Sequence, residues 1–134
     1  MSLTHRHFTI EEAQALVSWL RETFEAMAPL LEQDGQLREQ IEALLHRTQH
    51  NGGGNVDSQL AQARSASQET TSRIEQGIRG IQERGILVKN VEQGLVDFPS
   101  LRDAREVYLC WRTGETEVRF WHEVDSGFAG RQLL

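Results

Sequence analysis

The sequence predicts an α+β protein in which a long antiparallel helical hairpin is followed by a small antiparallel β meander. Apolar residues in the first 85 positions recur at spacings of three and four, the period of a helix with one buried face. Six of the nine aromatic residues follow Gly85, among valine and leucine at the alternating spacing of strands. We therefore assign residues 1–85 to the hairpin and 86–134 to the meander and C-terminal tail, all within a single domain.

The first helix has a clear start signal. Thr9 is followed three residues later by Glu12, the spacing of a capping box. Pro29 lacks an amide hydrogen and clashes with the preceding turn, so we expect the helix to kink there before it resumes toward residue 45. The apolar stripe that this helix must bury comprises Ile10, Ala13, Val17, Leu20, Phe24, Met27 and Leu31.

A second helix is expected to run antiparallel to the first. Asp57 or Ser58 can cap its start, and Gly85 should end it. Residues 51–55 read Asn-Gly-Gly-Gly-Asn, which predicts a mobile polar loop at the tip of the hairpin.

The predicted helices are long relative to the predicted sheet. At about 1.5 Å per residue the first helix would extend on the order of 58 Å, whereas a typical strand spans about 20 Å. Apolar positions beyond the reach of the sheet need another partner, which predicts a homodimer formed through the helices. The alternative is a monomer whose first helix folds back sharply at Pro29.

The second half of the chain should form a meander of four strands, at residues 86–91, 94–98, 106–112 and 117–123. Because side chains alternate between the faces of a strand, Val107, Leu109 and Trp111 should share a core face with Val118 and Phe120. The opposite face is too polar for a core and too aromatic for plain solvent exposure, so we interpret it as a recognition face. Its expected members are Tyr108, Cys110, Arg112, Glu117, Arg119 and Trp121.

Several segments resemble a known family. Residues 94–99 (GLVDFP), 109–112 (LCWR), 120–122 (FWH) and 125–131 (DSGFAGR), with the opening 8–13 (FTIEEA), are similar to the bacterial domain-of-unknown-function family numbered 2203. The resemblance implies a helical hairpin with a small sheet, and it implies no reaction, substrate or cofactor. The chain departs from the family at Ala104, where a glycine is expected in an Arg-Asp-Gly-Arg turn. If that turn needs a positive φ, Ala104 strains it.

A metal site is one candidate for the chemistry of this half. His122 lies among carboxylates, of which Asp97 and Asp125 are the expected ligands beside it. Neutral imidazole and carboxylate oxygen together suit zinc, manganese or iron. The alternative is a histidine that only hydrogen-bonds a backbone carbonyl.

An anion site is a second candidate. Arg131, next to Gly130, could bind an anion with its guanidinium fork, and Arg119 and Trp121 would complete the ligand site on the recognition face. Alternatively, Arg131 clasps a carboxylate within the protein itself. Cys110 reads as a small buried hydrophobic residue rather than a nucleophile, because no histidine is spaced to act as its base.

Composition narrows the classes of function. Fourteen basic and 20 acidic residues give a net charge of −6 without a basic stripe, so nucleic acid is not an expected partner. A single cysteine, no membrane-spanning apolar run and no secretory leader favour a cytoplasmic protein. We expect a non-enzymatic, self-associating binding or assembly module that needs no cofactor and recognises a protein or a small anionic ligand. The alternative is a small metal-dependent, hydrolase-like enzyme that uses His122 and nearby carboxylates.

Overall fold

The computed structural model describes residues 6–51 and 55–134, and it confirms an α+β arrangement of long helices followed by an antiparallel sheet. The glycines of the predicted mobile loop, at 52–54, lie outside the described residues. In chain order the elements are α1 (Ile10–Ala15), α2 (Val17–Asn51), α3 (Asn55–Gln82), β1 (Leu87–Asn90), β2 (Leu95–Arg102), β3 (Arg105–Arg112), β4 (Phe120–Glu123), a 3₁₀ turn (Phe128–Gly130) and β5 (Gln132–Leu133). None of the helices in the described part of the chain is both long and apolar enough to cross a bilayer.

The capping box at the start of α1 is present. The Glu12 amide donates to Thr9 Oγ1 at 3.0 Å, and the Thr9 amide donates to Glu12 Oε1 at 2.9 Å. An interruption that the sequence did not predict separates α1 from α2 at Leu16, whose amide donates to the Ala13 carbonyl. Pro29 lies inside α2, and the helix runs through it without a break.

The ends of α3 match the prediction in part. The helix begins at Asn55, two residues before the predicted cap. A short turn follows Gln82, and Gly85 adopts a φ of 90°, a left-handed conformation that ends the helix as expected.

The chain divides into two compact units, one of Ala26–Gly77 and one that joins the residues up to Glu25 with Ile78–Leu134. The first unit is helical, and Leu44, Val56 and Ala63 form a small core to which Ile41 and Leu60 contribute. Within the described part of this unit, Leu45 is the large apolar residue that stays exposed, at 39%. The described part of this unit therefore leaves little apolar surface for a partner, and the homodimer stays a prediction.

The second unit contains the sheet, a meander in the order β1-β2-β3-β4-β5 with all neighbours antiparallel. β2 is longer than predicted because it continues through Pro99 to Arg102. The N-terminal segment lies beside this extension, where the Phe8 amide donates to the Pro99 carbonyl and Ser100 Oγ donates to the Phe8 carbonyl. Pro99 itself has no amide hydrogen to offer a neighbouring strand.

The prediction of which face each side chain of the fourth strand occupies was wrong by one residue. Leu109 pairs with Trp121 and Cys110 pairs with Phe120, so Trp121 lies on the core face and Phe120 on the opposite face. The reason is that β4 begins only at Phe120, after an irregular segment, so the alternation expected over 117–123 does not hold. The buried core face includes Val96, Phe98, Val107, Leu109, Trp111 and Trp121, and Phe8 packs edge-on against Phe98.

Candidate functional site

A groove of about 440 Å³ lies at the edge of the core face, within the sheet-containing unit. Its walls come from the N-terminal segment, the start of α1 and strands β2 to β4. Three of its apolar residues remain open to solvent, namely Ile10 at 44%, Leu101 at 55% and Leu134 at 42% exposure. Its volume lies within the range typical of small-molecule sites.

Trp121 and Arg102 both line this groove. The Arg102 guanidinium carbon lies 4.4 Å from the centre of the Trp121 ring, a cation–π contact. Within residues 6–51 and 55–134, Arg102 forms no ion pair and no side-chain hydrogen bond, so its N–H groups are available to a ligand. His7 and Glu11 also line the groove, and His7 Nε2 lies 3.0 Å from Glu106 Oε2.

The structure separates the three residues predicted to bind an anionic ligand. Trp121 lies in the groove, but Arg119 is exposed and pairs with Glu117 at 3.3 Å. Arg131 lies near Phe120 on the opposite face of the sheet. Sequence reasoning missed Arg102, because its stacking on Trp121 depends on which face Trp121 occupies.

The face opposite the groove carries a buried polar cluster of Asp97, Cys110 and His122. Asp97 and Cys110 are direct cross-strand partners, and His122 joins them from β4 on the same face. His122 Nε2 lies 3.0 Å from Asp97 Oδ1, and the side chains are 1% and 2% exposed. Two of the three predicted metal ligands are thus adjacent, whereas Asp125 lies exposed in the turn after β4 and is not in this cluster.

Hydrogen bonding fixes the orientation of these side chains. His122 Nδ1 lies 2.8 Å from the Glu123 carbonyl, which can only accept, so Nδ1 carries a hydrogen and Nε2 points to Asp97. The Cys110 thiol lies within 4.8 Å of an Asp97 carboxylate oxygen and of a His122 ring nitrogen. Burial, together with the Asp97 charge, raises the pKa of Cys110 to about 12, so the metal-free thiol is protonated at neutral pH and is a poor nucleophile.

Arg131 clasps the C-terminal tail to the sheet. Its guanidinium lies 2.6 Å from Glu115 Oε2 and stacks on Phe120 at 3.9 Å and on Phe128 at 4.4 Å. Of the two interpretations that the sequence left open, these contacts support the internal clasp. Arg131 Nε is buried without a hydrogen-bond partner among the residues that the structure describes.

Comparison with known proteins identifies a family for this chain but indicates no activity. The model of the uncharacterised conserved protein family DUF2203 matches residues 6–134, nearly the whole chain. No significant match was found among the curated proteins or among the solved structures.

Proposed function

The chain belongs to the DUF2203 family, and from that premise we propose that it is a non-enzymatic binding module whose groove takes a small amphipathic carboxylate. The apolar body of such a ligand would lie along the groove, and its carboxylate would bind Arg102. The observation that carries this proposal is the Arg102 guanidinium held 4.4 Å over Trp121 without an ion-pair partner among the described residues.

The chemistry of Arg102 supports an anionic head group. Stacking on an aromatic ring uses the face of the guanidinium and leaves its N–H edge free to form paired hydrogen bonds with a carboxylate. The stacking also orients the fork, which reduces the entropy lost when a ligand binds.

The lining supports an apolar ligand body. Ile10, Leu101 and Leu134 expose hydrocarbon surface beside the buried Leu109 and Trp121. Transfer of this surface from water to a hydrocarbon chain stabilises a complex by about 25 cal/mol per Å² of apolar area. A ligand that combines both features would therefore bind more tightly than one that has either feature alone.

The alternative enzyme receives less support from this geometry. Trp121 and His122 are neighbours in a strand and point to opposite faces of the sheet, as their partners Leu109 and Tyr108 confirm. A metal held by His122 would therefore face away from a ligand in the groove, and the two features do not combine into one catalytic site.

Titration with three probes of equal chain length tests the proposal: decanoate, decanol and decylamine. Binding is followed by NMR at the indole N–H signals of the tryptophans and by fluorescence. We expect decanoate to bind with Trp121 as the perturbed indole, and Arg102→Gln to weaken it about tenfold, which corresponds to about 1.4 kcal/mol.

Arg119→Gln is the matched control, because Arg119 is also exposed but lies outside the groove and pairs with Glu117. It should leave decanoate affinity unchanged. Equal binding of decanoate and decanol, or an affinity that Arg102→Gln does not change, would refute the carboxylate ligand. If the protein self-associates and no longer binds decanoate when it does so, the occupant of the groove is a second copy of the chain instead.

A further inference from the structure

We infer that Asp97, Cys110 and His122 supply three ligands of a binding site for one divalent cation of the zinc class. The three residues come from three neighbouring strands, so the register of the sheet places them together. Their potential ligand atoms all lie within 4.8 Å of one another, and each residue is 1% exposed. This site is independent of the groove, which opens on the other face.

The donor set has the chemistry that zinc prefers. One thiolate sulfur, one imidazole nitrogen and one carboxylate oxygen are all established zinc ligands, at about 2.0–2.3 Å from the metal. A tetrahedral centre with those bond lengths separates its donor atoms by about 3.3–3.6 Å. The present 3.0 Å between His122 Nε2 and Asp97 Oδ1 is slightly shorter, so the two side chains need to open by only a few tenths of an ångström.

His122 is also oriented as a metal ligand requires. Its Nδ1–H donates to the Glu123 carbonyl at 2.8 Å, which leaves Nε2 as the nitrogen that faces Asp97 and Cys110. A ligating histidine commonly donates its second N–H to a carbonyl or carboxylate in this way, and the bond fixes both the tautomer and the ring orientation.

Charge balance permits a cation at this depth. A divalent ion with one thiolate, one carboxylate and a neutral imidazole has no net charge, so burial carries no uncompensated charge. The charge of Arg131, which acts on Cys110, is already paired with Glu115 at 2.6 Å. Binding would displace two protons, that of the Cys110 thiol and the one that His122 Nε2 and Asp97 Oδ1 share in their 3.0 Å hydrogen bond.

The test uses the full chain, stripped with a chelator and then equilibrated separately with Zn²⁺, Co²⁺ and Mg²⁺. We expect one zinc per chain by elemental analysis, and a cobalt spectrum with thiolate charge-transfer absorption. Zinc at one hundred times its Kd should raise the folded-to-unfolded ratio about 100-fold, whereas Mg²⁺ should not.

Substitutions locate the ion. Cys110→Ala and His122→Ala should abolish zinc binding, while Asp125→Asn, at a carboxylate near His122 in sequence but outside the cluster, should retain it. Zinc retained by Cys110→Ala would overturn the inference by placing the ion elsewhere. Because a variant can fail to fold, the cobalt spectrum of the unaltered protein decides independently, and a spectrum without thiolate charge transfer would also overturn it.

Discussion

Arg131 and Glu115 form an ion pair of 2.6 Å that joins the C-terminal tail to the turn after β3. Their side chains are 12% and 18% exposed, so the pair is largely removed from water. Glu115 has a second role, because its other carboxylate oxygen accepts the Arg112 amide at 2.9 Å, while its carbonyl accepts the Trp111 indole N–H. The tail is thereby tied to a residue that also shapes the turn.

Arg131→Ala should destabilise the protein by about 3 kcal/mol, because it leaves the Glu115 carboxylate poorly solvated and unpaired. Urea unfolding compared with the unaltered chain measures this loss. Arg119→Ala is the control, since Arg119 is 60% exposed in its pair with Glu117 and should contribute less than about 0.5 kcal/mol. Equal, small losses in the two variants would contradict an internal clasp.

Ala104→Gly should stabilise the protein by about 0.5–1 kcal/mol. Asp103 and Ala104 form the two-residue turn between β2 and β3 with φ angles of 53° and 63°, and a non-glycine residue pays about 1–2 kcal/mol in this left-handed region. The greater freedom of glycine in the unfolded chain cancels part of that gain. Ala61→Gly, at an exposed position of α3, should instead cost about 1 kcal/mol, so denaturant midpoints should move in opposite directions.

Gly77→Ala should destabilise the helical unit by about 1–2 kcal/mol. A Cβ at Gly77 would lie 2.7 Å from Met27 Sδ, and Met27 is only 3% exposed, so its side chain has little room to move away. Gly80→Ala, one turn further along α3 with open space around it, should gain about 0.5–1 kcal/mol from helix propensity. Thermal melts followed by circular dichroism distinguish the two, and equal gains in both would show that Met27 yields freely.

Light scattering after gel filtration tests the predicted homodimer, which should have about twice the 15.3 kDa mass of the chain at micromolar concentration. Leu20 and Phe24 are 0% and 6% exposed within one chain, so charges placed there would unfold it rather than report on an interface. Leu45→Glu is the better variant, because Leu45 is the exposed apolar residue of the helical unit. It should shift a dimer toward monomer without loss of helicity, and a monomeric unaltered protein would refute the prediction.

Local signals in the sequence were sufficient for most of the fold. The Thr9 and Glu12 capping box and the helix end at Gly85 each depend on a few neighbouring residues, and the structure confirms both. The length of β2 was underestimated because Pro99 reads as a strand terminator. Its edge there is instead completed by Phe8, from the other end of the chain.

The candidate sites depended on information that one sequence does not contain. Trp121 was placed on the wrong face because its orientation is set by where β4 begins, not by alternation over the whole segment. The pairing of His122 with Asp97 was anticipated, but Asp125 was chosen as their companion because it is near in sequence. Cys110 could be identified as the third residue of the Asp97 and His122 cluster only from the strand register, which places it opposite Asp97.

The contacts of the N-terminal segment also have a consequence for how a nascent chain folds. Phe8 bonds to Ser100 across 92 positions, and Gln14 accepts the Val118 amide across 104 positions. Because translation proceeds from the N-terminus, the whole of Ala26–Gly77 is synthesised before either partner. Phe8 and Gln14 therefore stay without these partners while the whole helical unit between them is being synthesised.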